Sequence, residues 1–370
     1  MSRNLAWFFS AVVMLAVSAP LQALNYEVGG CKTGSSYVNF TTISAAVTGV
    51  PAGATIQICP GVYPEQVTIT QPLTLKGIAS GNANRAVITF NPNGNLAPNV
   101  TSVLGLGSAF YAQVLVQNVN PAGSVNFVGI TVDGSGINPG GSTNLAGIFY
   151  ASGTSGTINE VTARNQTAGY FGGFGIWVEN GSSTNDTLTI ENNSLHNQVG
   201  GIWAQVQPPS TLTTTVNGNF LSNIGGNEIL IAANSGISGG ISGNVVTSSP
   251  YGSGPAIFTQ GALVVSGNTV ADVSEGIGPF FATSVKSNKL SNVGTGIQFQ
   301  CCEAVPLASN TIMNTVCAID FYGGASSSGP ISGNVINDAQ YGFAEWSGPT
   351  ITGNSLYNVD TIQTTSSPCP

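Results

Sequence analysis

Eight short stretches of the chain repeat one phrase: an aliphatic residue, two residues often ending in Gly, then Asn. They are Ile190–Asn193, Val216–Asn219, Ile241–Asn244, Val265–Asn268, Val285–Asn288, Leu307–Asn310, Ile331–Asn334 and Ile351–Asn354. Successive Asn positions differ by 26, 25, 24, 20, 22, 24 and 20 residues. A repeat of that period in fixed phase is the mark of a solenoid, in which each unit buries its apolar face only by stacking on its neighbours. The apolar residues alternate, so the units are built of strands. A Gly-Asn step lets the backbone take positive φ at little cost. Asn side chains stacked coil on coil satisfy their amides by hydrogen-bonding one another, which predicts an internal Asn column holding Asn268 and Asn288.

A second element keeps phase with the first. Gly201-Ile202, Glu228-Ile229, Gly276-Ile277, Gly296-Ile297, Ala318-Ile319 and Gly342-Phe343 follow most anchors at nine or ten residues and read as the first strand of the next coil. Toward the N-terminus come Phe40–Val47, Gly53–Ile58, Pro60–Glu65 and Leu73–Gly77. Taken with the repeat, these stretches resemble the opening of right-handed parallel β-helix proteins of the pectin-lyase-like superfamily. The resemblance spans about residues 37–360. It implies an all-β fold, a single solenoid with a short N-terminal capping helix, and a binding cleft on the sheet made by the first strands. That superfold carries lyases, hydrolases, epimerases and non-enzymes, so it does not fix an activity.

The expected division is a signal peptide over 1–23, an N-terminal segment and cap over 24–50, the β-helix over 51–356 and a C-terminal cap over 357–370. Arg3, the apolar run Leu5–Ala19 and Leu21-Gln22-Ala23 form a secretory signal pattern, which predicts a secreted or periplasmic protein. Six cysteines follow it, an even count that in an exported chain favours disulfides over metal binding. Cys31 is expected to bridge Cys59; the pairing among Cys301, Cys302, Cys317 and Cys369 stays open. Loss of Arg3 with the signal leaves 6 basic against 15 acidic residues, a net charge of −9. That balance argues against nucleic acid as a partner, which needs basic patches, and no segment after the signal is long enough to insert in a membrane.

Alternation along the first strands sends one set of side chains outward: Phe149, Trp177 and Glu179, Trp203 and Gln205, Leu230, Phe258 and Gln260, Gln298 and Gln300, Asp320 and Tyr322. Rungs of a parallel sheet lie ~4.8 Å apart, close to the length of one sugar residue. Aromatic faces stack on sugar rings, and amides and carboxylates bond hydroxyls. The predicted ligand site is therefore Trp177, Glu179, Trp203, Gln205, Phe258, Gln298, Asp320 and Tyr322, with a polysaccharide as partner and neither metal nor cofactor. The long segments 133–146, 180–187 and 207–213 are expected to wall this face.

A glycosidase needs two carboxyls about 5–10 Å apart. Glu179 and Glu228, two rungs apart, are the candidates, and they define the alternative of a polysaccharide lyase or hydrolase. The Asp-Asp, Gly-His-Gly and Arg-x-Lys signatures of polygalacturonases are absent. Arg164 matches no family motif, Asp133-Gly134 reads as a turn, and His196 reads as an isolated surface imidazole. A structural or adhesive surface rod is the third alternative.

Overall fold

The computed structural model describes residues 25–32, 34, 36–79, 86–91, 97–102, 104, 109–137, 144–167, 172–226, 228–233, 236–249, 254–300, 305–324, 329–347, 350–366 and 368–370. The signal-peptide segment 1–23 and Cys301 and Cys302 lie outside the described residues.

The chain winds as a parallel β-helix with three faces. Face 1 holds Val67–Ile69, Ala109–Val116, Asn144–Tyr150, Gly173–Asn180, Gly200–Val206, Ile229–Ala233 and Pro255–Gln260. Face 2 is a 13-stranded sheet running from Tyr37–Phe40 and Asn25–Val28 through Ala54–Ile58 to Ile331–Ser332. Face 3 begins with Gly61–Pro64 and Ala86–Thr89 and passes through Thr131–Asp133, Thr162–Arg164, Ser194–Gln198, Phe220–Ile224 and Val245–Ser249. From Thr269–Phe280 onward one long strand per coil serves faces 3 and 1 together, as in Lys289–Phe299, Thr311–Phe321 and Val335–Ala344.

The core is a set of stacked columns. On face 2, Ile56, Leu75, Phe127, Ile158, Ile190, Val216, Ile241, Val265, Val285, Leu307 and Ile331 stand opposite one another from rung to rung, and all are buried. Burying a large aliphatic side chain contributes roughly 1.5–3 kcal/mol, so each new coil stabilises the one beneath it.

The repeated phrase forms the turn from face 2 to face 3. The residue before each anchor Asn takes positive φ, from Asn192 at 56° through Gly218, Gly243, Gly267, Ser287, Ser309 and Gly333 to Gly353 at 77°. The Asn itself turns inward. Asn193 Nδ2 donates to Asn219 Oδ1 at 2.8 Å, and the chain continues through Asn244, Asn268, Asn288, Asn310, Asn334 and Asn354 at 2.9 Å per step. From Asn219 to Asn354 each Oδ1 also accepts the backbone N–H of the preceding Asn at 3.0 Å. The expected Asn column is present, with Asn268 and Asn288 fully buried and their amides bonded.

A second column stands at the turn from face 3 to face 1. Asn165, Asn197, Asn223, Ser248, Asp272, Asn292, Asn314, Asp338 and Asn358 all take positive φ, between 49° and 61°. Their side chains link along the stack, as in Asn223 Nδ2 to Asn197 Oδ1 at 2.6 Å and Asn314 Nδ2 to Asn292 Oδ1 at 3.1 Å. Unlike the first column it faces solvent.

Tyr37–Phe40 is a strand added to face 2, and the helix is confined to Ile43–Gly49. Thr42 Oγ1 accepts Ala45 N, while the Glu65 carboxylate accepts the N–H groups of Ile43 and Ser44 at 2.8 and 2.9 Å. Glu65 thus satisfies orphan donors at the positive end of the helix and ties it to the first coil. Ile43, Ala46 and Val47 enter the core. Cys31 bridges Cys59, with Cα atoms 5.8 Å apart, and Cys317 bridges Cys369. Residues 185–187 and 211–213, expected in walls beside face 1, instead lengthen face-2 strands Asn185–Glu191 and Thr211–Asn217. Residues 138–143 of the first expected wall lie outside the described residues.

Candidate functional site

The predicted stripe is in register on face 1. Phe149, Trp177, Trp203, Leu230 and Phe258 stand opposite one another on successive rungs, Glu179 faces Gln205, and Gln298 faces Asp320. Its N-terminal half is nevertheless not a surface. Trp177 is 0 % exposed, and Glu179 is 1 % exposed. The chain before Ala109–Val116 folds back outside the helix: Val100-Thr101 pairs antiparallel with Ala109-Phe110. Phe110, Ala112, Leu115, Ala146, Phe149, Ala151, Phe174 and Trp177 then form a second apolar cluster beyond face 1, with Val100 and Trp203 against it. The ring centroids of Phe174 and Phe110 lie 4.5 and 4.8 Å from that of Trp177. These residues pack in the outer cluster beyond the helix core, where a strap from an earlier coil covers them.

Glu179 fastens that strap. Its Oε1 accepts Trp177 Nε1 at 2.9 Å and also Ser102 Oγ. Glu228 is buried at the start of its strand. Gln205, the rung partner of Glu179, stands opposite Ala232, four residues after Glu228. The two carboxylates are thus displaced by about 13 Å along the strands and about 10 Å across two rungs, roughly 16 Å between Cα atoms. They do not come together as an acid pair.

The open part of face 1 begins at Trp203, whose ring stacks on Trp177 at 4.9 Å and 8°. Trp203 is half-buried, and its Nε1 is buried without a partner among the described residues. Leu230 and then Phe258 follow in its column, and Gln205, Gln260 and Phe280 stand in the column beside it. Phe258 and Phe280 lie nearly parallel, at 6.5 Å and 14°. Gly278 makes room for the first ring, since a Cβ there would meet Phe258 Cδ2 at 2.8 Å. Further on, Gln300 Nε2 donates to Gln298 Oε1 at 3.4 Å, and Gln298 Nε2 to Asp320 Oδ2 at 3.2 Å. Tyr322 is 57 % exposed.

Asp320, expected at the surface, is 0 % exposed. Its Oδ1 has no partner among the described residues, and the same holds for Glu275 Oε1 and Glu345 Oε1. Burial and the Asp320 charge push Glu275 up to about 7. Burial raises Asp320 to about 6, assisted by Glu345 and opposed by the Gln298 hydrogen bond. Strand alternation alone turns Glu345 inward, but its φ of 55° breaks the alternation, and its Oε2 accepts Gly323 N at 2.7 Å. Sequence reasoning passed over Glu275, although it directly precedes the recognised Gly276-Ile277 step. The described grouping with metal-ligand geometry is Glu27, Cys31 and Cys59, whose sulfurs are spent in the disulfide.

No protein-family model and no curated protein matches the chain. Solved structures do. The lacto-N-biosidase of glycoside hydrolase family 136 from Eubacterium ramulus is similar over 91 % of this chain and 67 % of its own, at 10 % identity and a TM-score of 0.50. DFA-IIIase from Arthrobacter chlorophenolicus is similar over 93 % and 87 %, at 15 % identity and a TM-score of 0.45. The surface adhesin PfbA of Streptococcus pneumoniae is similar over 87 % and 88 %, at 12 % identity and a TM-score of 0.38. At such identities the likeness speaks for the fold: the chain has the right-handed parallel β-helix architecture of pectin-lyase-like proteins.

Proposed function

We propose that the protein is exported and binds a carbohydrate polymer along the open part of face 1, from Trp203 to Tyr322. The observation that carries this reading is a pair of in-register columns that collect rings and amides on one face: Trp203, Leu230 and Phe258, with Gln298 two rungs beyond, in one, and Gln205, Gln260 and Phe280 in the other. Ring faces and edges meet the apolar patches of sugars, and the amides take their hydroxyls. The ~4.8 Å rung spacing keeps both in step with a chain of sugars. Trp177 and Glu179 enter this reading as the support beneath Trp203. Two disulfides fit an oxidising compartment, and among the described residues no helix is long and apolar enough to cross a membrane. The acidic balance of 15 against 7 basic residues disfavours nucleic acid.

A polysaccharide-cleaving enzyme is the second reading. It is favoured by Glu275 and Asp320, which hold protons to about pH 7 and 6 at one end of the same face; a general acid needs a pKa in that range. A glycan-array screen, paired with reducing-sugar and unsaturated-product assays, separates the readings. Retention without product supports binding. Product formation lost in Asp320→Asn or Glu275→Gln supports the enzyme. Absence of both leaves a structural rod.

A further inference from the structure

Asp133, Arg164 and His196, which look unrelated in sequence, stand on three successive rungs of face 3. Asp133 is buried and anchors the group. Its Oδ1 accepts Ser135 N at 3.0 Å, Ser135 Oγ at 2.7 Å and Asn165 Nδ2 at 2.9 Å, and its Oδ2 accepts Arg164 Nε at 2.7 Å. That is the one ion pair among the described residues. Asp133 takes only Nε; neither Nη of Arg164 has an acceptor among the described residues, and the side chain is 38 % exposed. His196 is the sole histidine of the chain and is half-buried, and its ring has no hydrogen-bond partner among the described residues. Ser222 follows it in the same column. The Asn165, Asn197 and Asn223 amides form a rail beside the Arg164, His196 and Ser222 rungs.

We propose that this column is a second binding site, separate from face 1, for an oxyanion carried on a sugar chain, a carboxylate or a sulfate half-ester. Arg164 Nε is fixed by a carboxylate that three other donors hold, and the Nη1–Nη2 edge stays open, the shape that grips an oxyanion bidentately. Fixing the Arg in advance removes much of the ordering cost of binding. The His196 ring, one rung away at ~4.8 Å, supplies a further donor. The Ser222 hydroxyl and the Asn rail then meet the sugars on either side of the charged one.

The site has a pH signature. Burial and the Arg164 charge lower the His196 pKa, opposed by Asp133; these are the charged groups that act on it. A bound anion favours the imidazolium, so it raises the His196 pKa and binds more tightly as pH falls through that pKa. Asp133 stays ionised throughout, because its hydrogen bonds outweigh burial and hold it below the usual carboxylate range.

The test follows the His196 ring protons by NMR in the full mature chain, titrated with an oligogalacturonate, a sulfated oligosaccharide and a neutral oligoglucan in turn. The expected result is that at least one anionic oligomer raises the His196 pKa while the neutral one does not. Arg164→Lys, which keeps the charge and the Asp133 contact but loses the fork, weakens binding ~10-fold. His196→Gln, a change at a half-exposed side chain, removes the pH dependence and keeps part of the affinity. The two anionic arms tell carboxylate from sulfate. An unmoved His196 pKa with both anions, or anion binding that both variants leave intact, overturns the proposal. Neither result bears on face 1, whose ligand is read with face-1 variants.

Discussion

Asn288→Ala is the sharpest perturbation of the solenoid. The Asn288 side chain is fully buried and takes part in four hydrogen bonds. Its Nδ2 donates to Val265 O at 3.1 Å and Asn310 Oδ1 at 2.9 Å, and its Oδ1 accepts Asn268 N at 3.0 Å and Asn268 Nδ2 at 2.9 Å. Truncation strands the Asn268 backbone N–H outright and takes one partner each from the Asn268 amide, Val265 O and Asn310 Oδ1. A buried group left unsatisfied costs roughly 1–3 kcal/mol, so a loss of about 3 kcal/mol is expected for the pair of donors stranded on Asn268. Asn354→Ala, at the half-exposed end of the column, removes an acceptor that water can replace, and should cost about 1 kcal/mol. Urea unfolding followed by far-UV circular dichroism and Trp fluorescence measures both. Equal losses at the two positions, or a loss at Asn288 within about 0.5 kcal/mol of wild type as for an ordinary surface change, would refute the stacked-column account.

Other outcomes follow from the same geometry. Trp177→Ala, which empties the centre of the outer cluster, should destabilise by about 3–5 kcal/mol in urea unfolding; unchanged stability would mean that the strap does not seal the ring. Cys369→Ser opens a link across 52 residues of sequence and should cost up to about 4 kcal/mol on the loop-entropy model, read as a lower urea midpoint under oxidising conditions and no difference under reducing ones. Glu275 and Asp320 have folded pKa values of about 7 and about 6, above their ordinary values. Their contribution to stability is complete below about pH 4 and is lost as pH rises through 6 and 7. His196, with its pKa lowered, contributes in the opposite sense, losing stability as pH falls below its ordinary value. Urea midpoints of Glu275→Gln should therefore exceed wild type at pH 7.5 by more than at pH 5, and a constant offset would count against the buried-proton reading.

The parts of the fold that could be read from sequence are those that every coil must repeat. The inward Asn and the positive-φ residue before it are locally encoded, so the spacing gave coil phase and with it the register of the face-1 stripe. The second column escaped notice because its positions accept Asn, Ser or Asp, as at Asn223, Ser248 and Asp272. An exposed αL turn demands only a short polar side chain, whereas a buried amide ladder demands Asn. Alternation says on which side of a sheet a residue lies, and it placed Trp177 and Glu179 outside the helix. It is silent on a strap such as 97–102 that returns over them from an earlier coil. A single αL residue at Glu345 interrupts the alternation on which such an assignment rests. The column Asp133–Arg164–His196 is spread over 31- and 32-residue steps and becomes visible only when the coils are stacked.

The central claim is that face 1 binds a glycan between Trp203 and Tyr322, and it is tested most directly by the affinity of the mature protein and of Phe258→Ala for the glycan that an array screen retains. Phe258 is half-buried on the open part of the face and apart from the Trp177 cluster. Loss of a stacking ring at the middle of a binding strip should weaken binding about tenfold or more, with the circular dichroism spectrum unchanged. A glycan that binds Phe258→Ala as tightly as wild type, or an array on which the mature chain retains nothing, would contradict it.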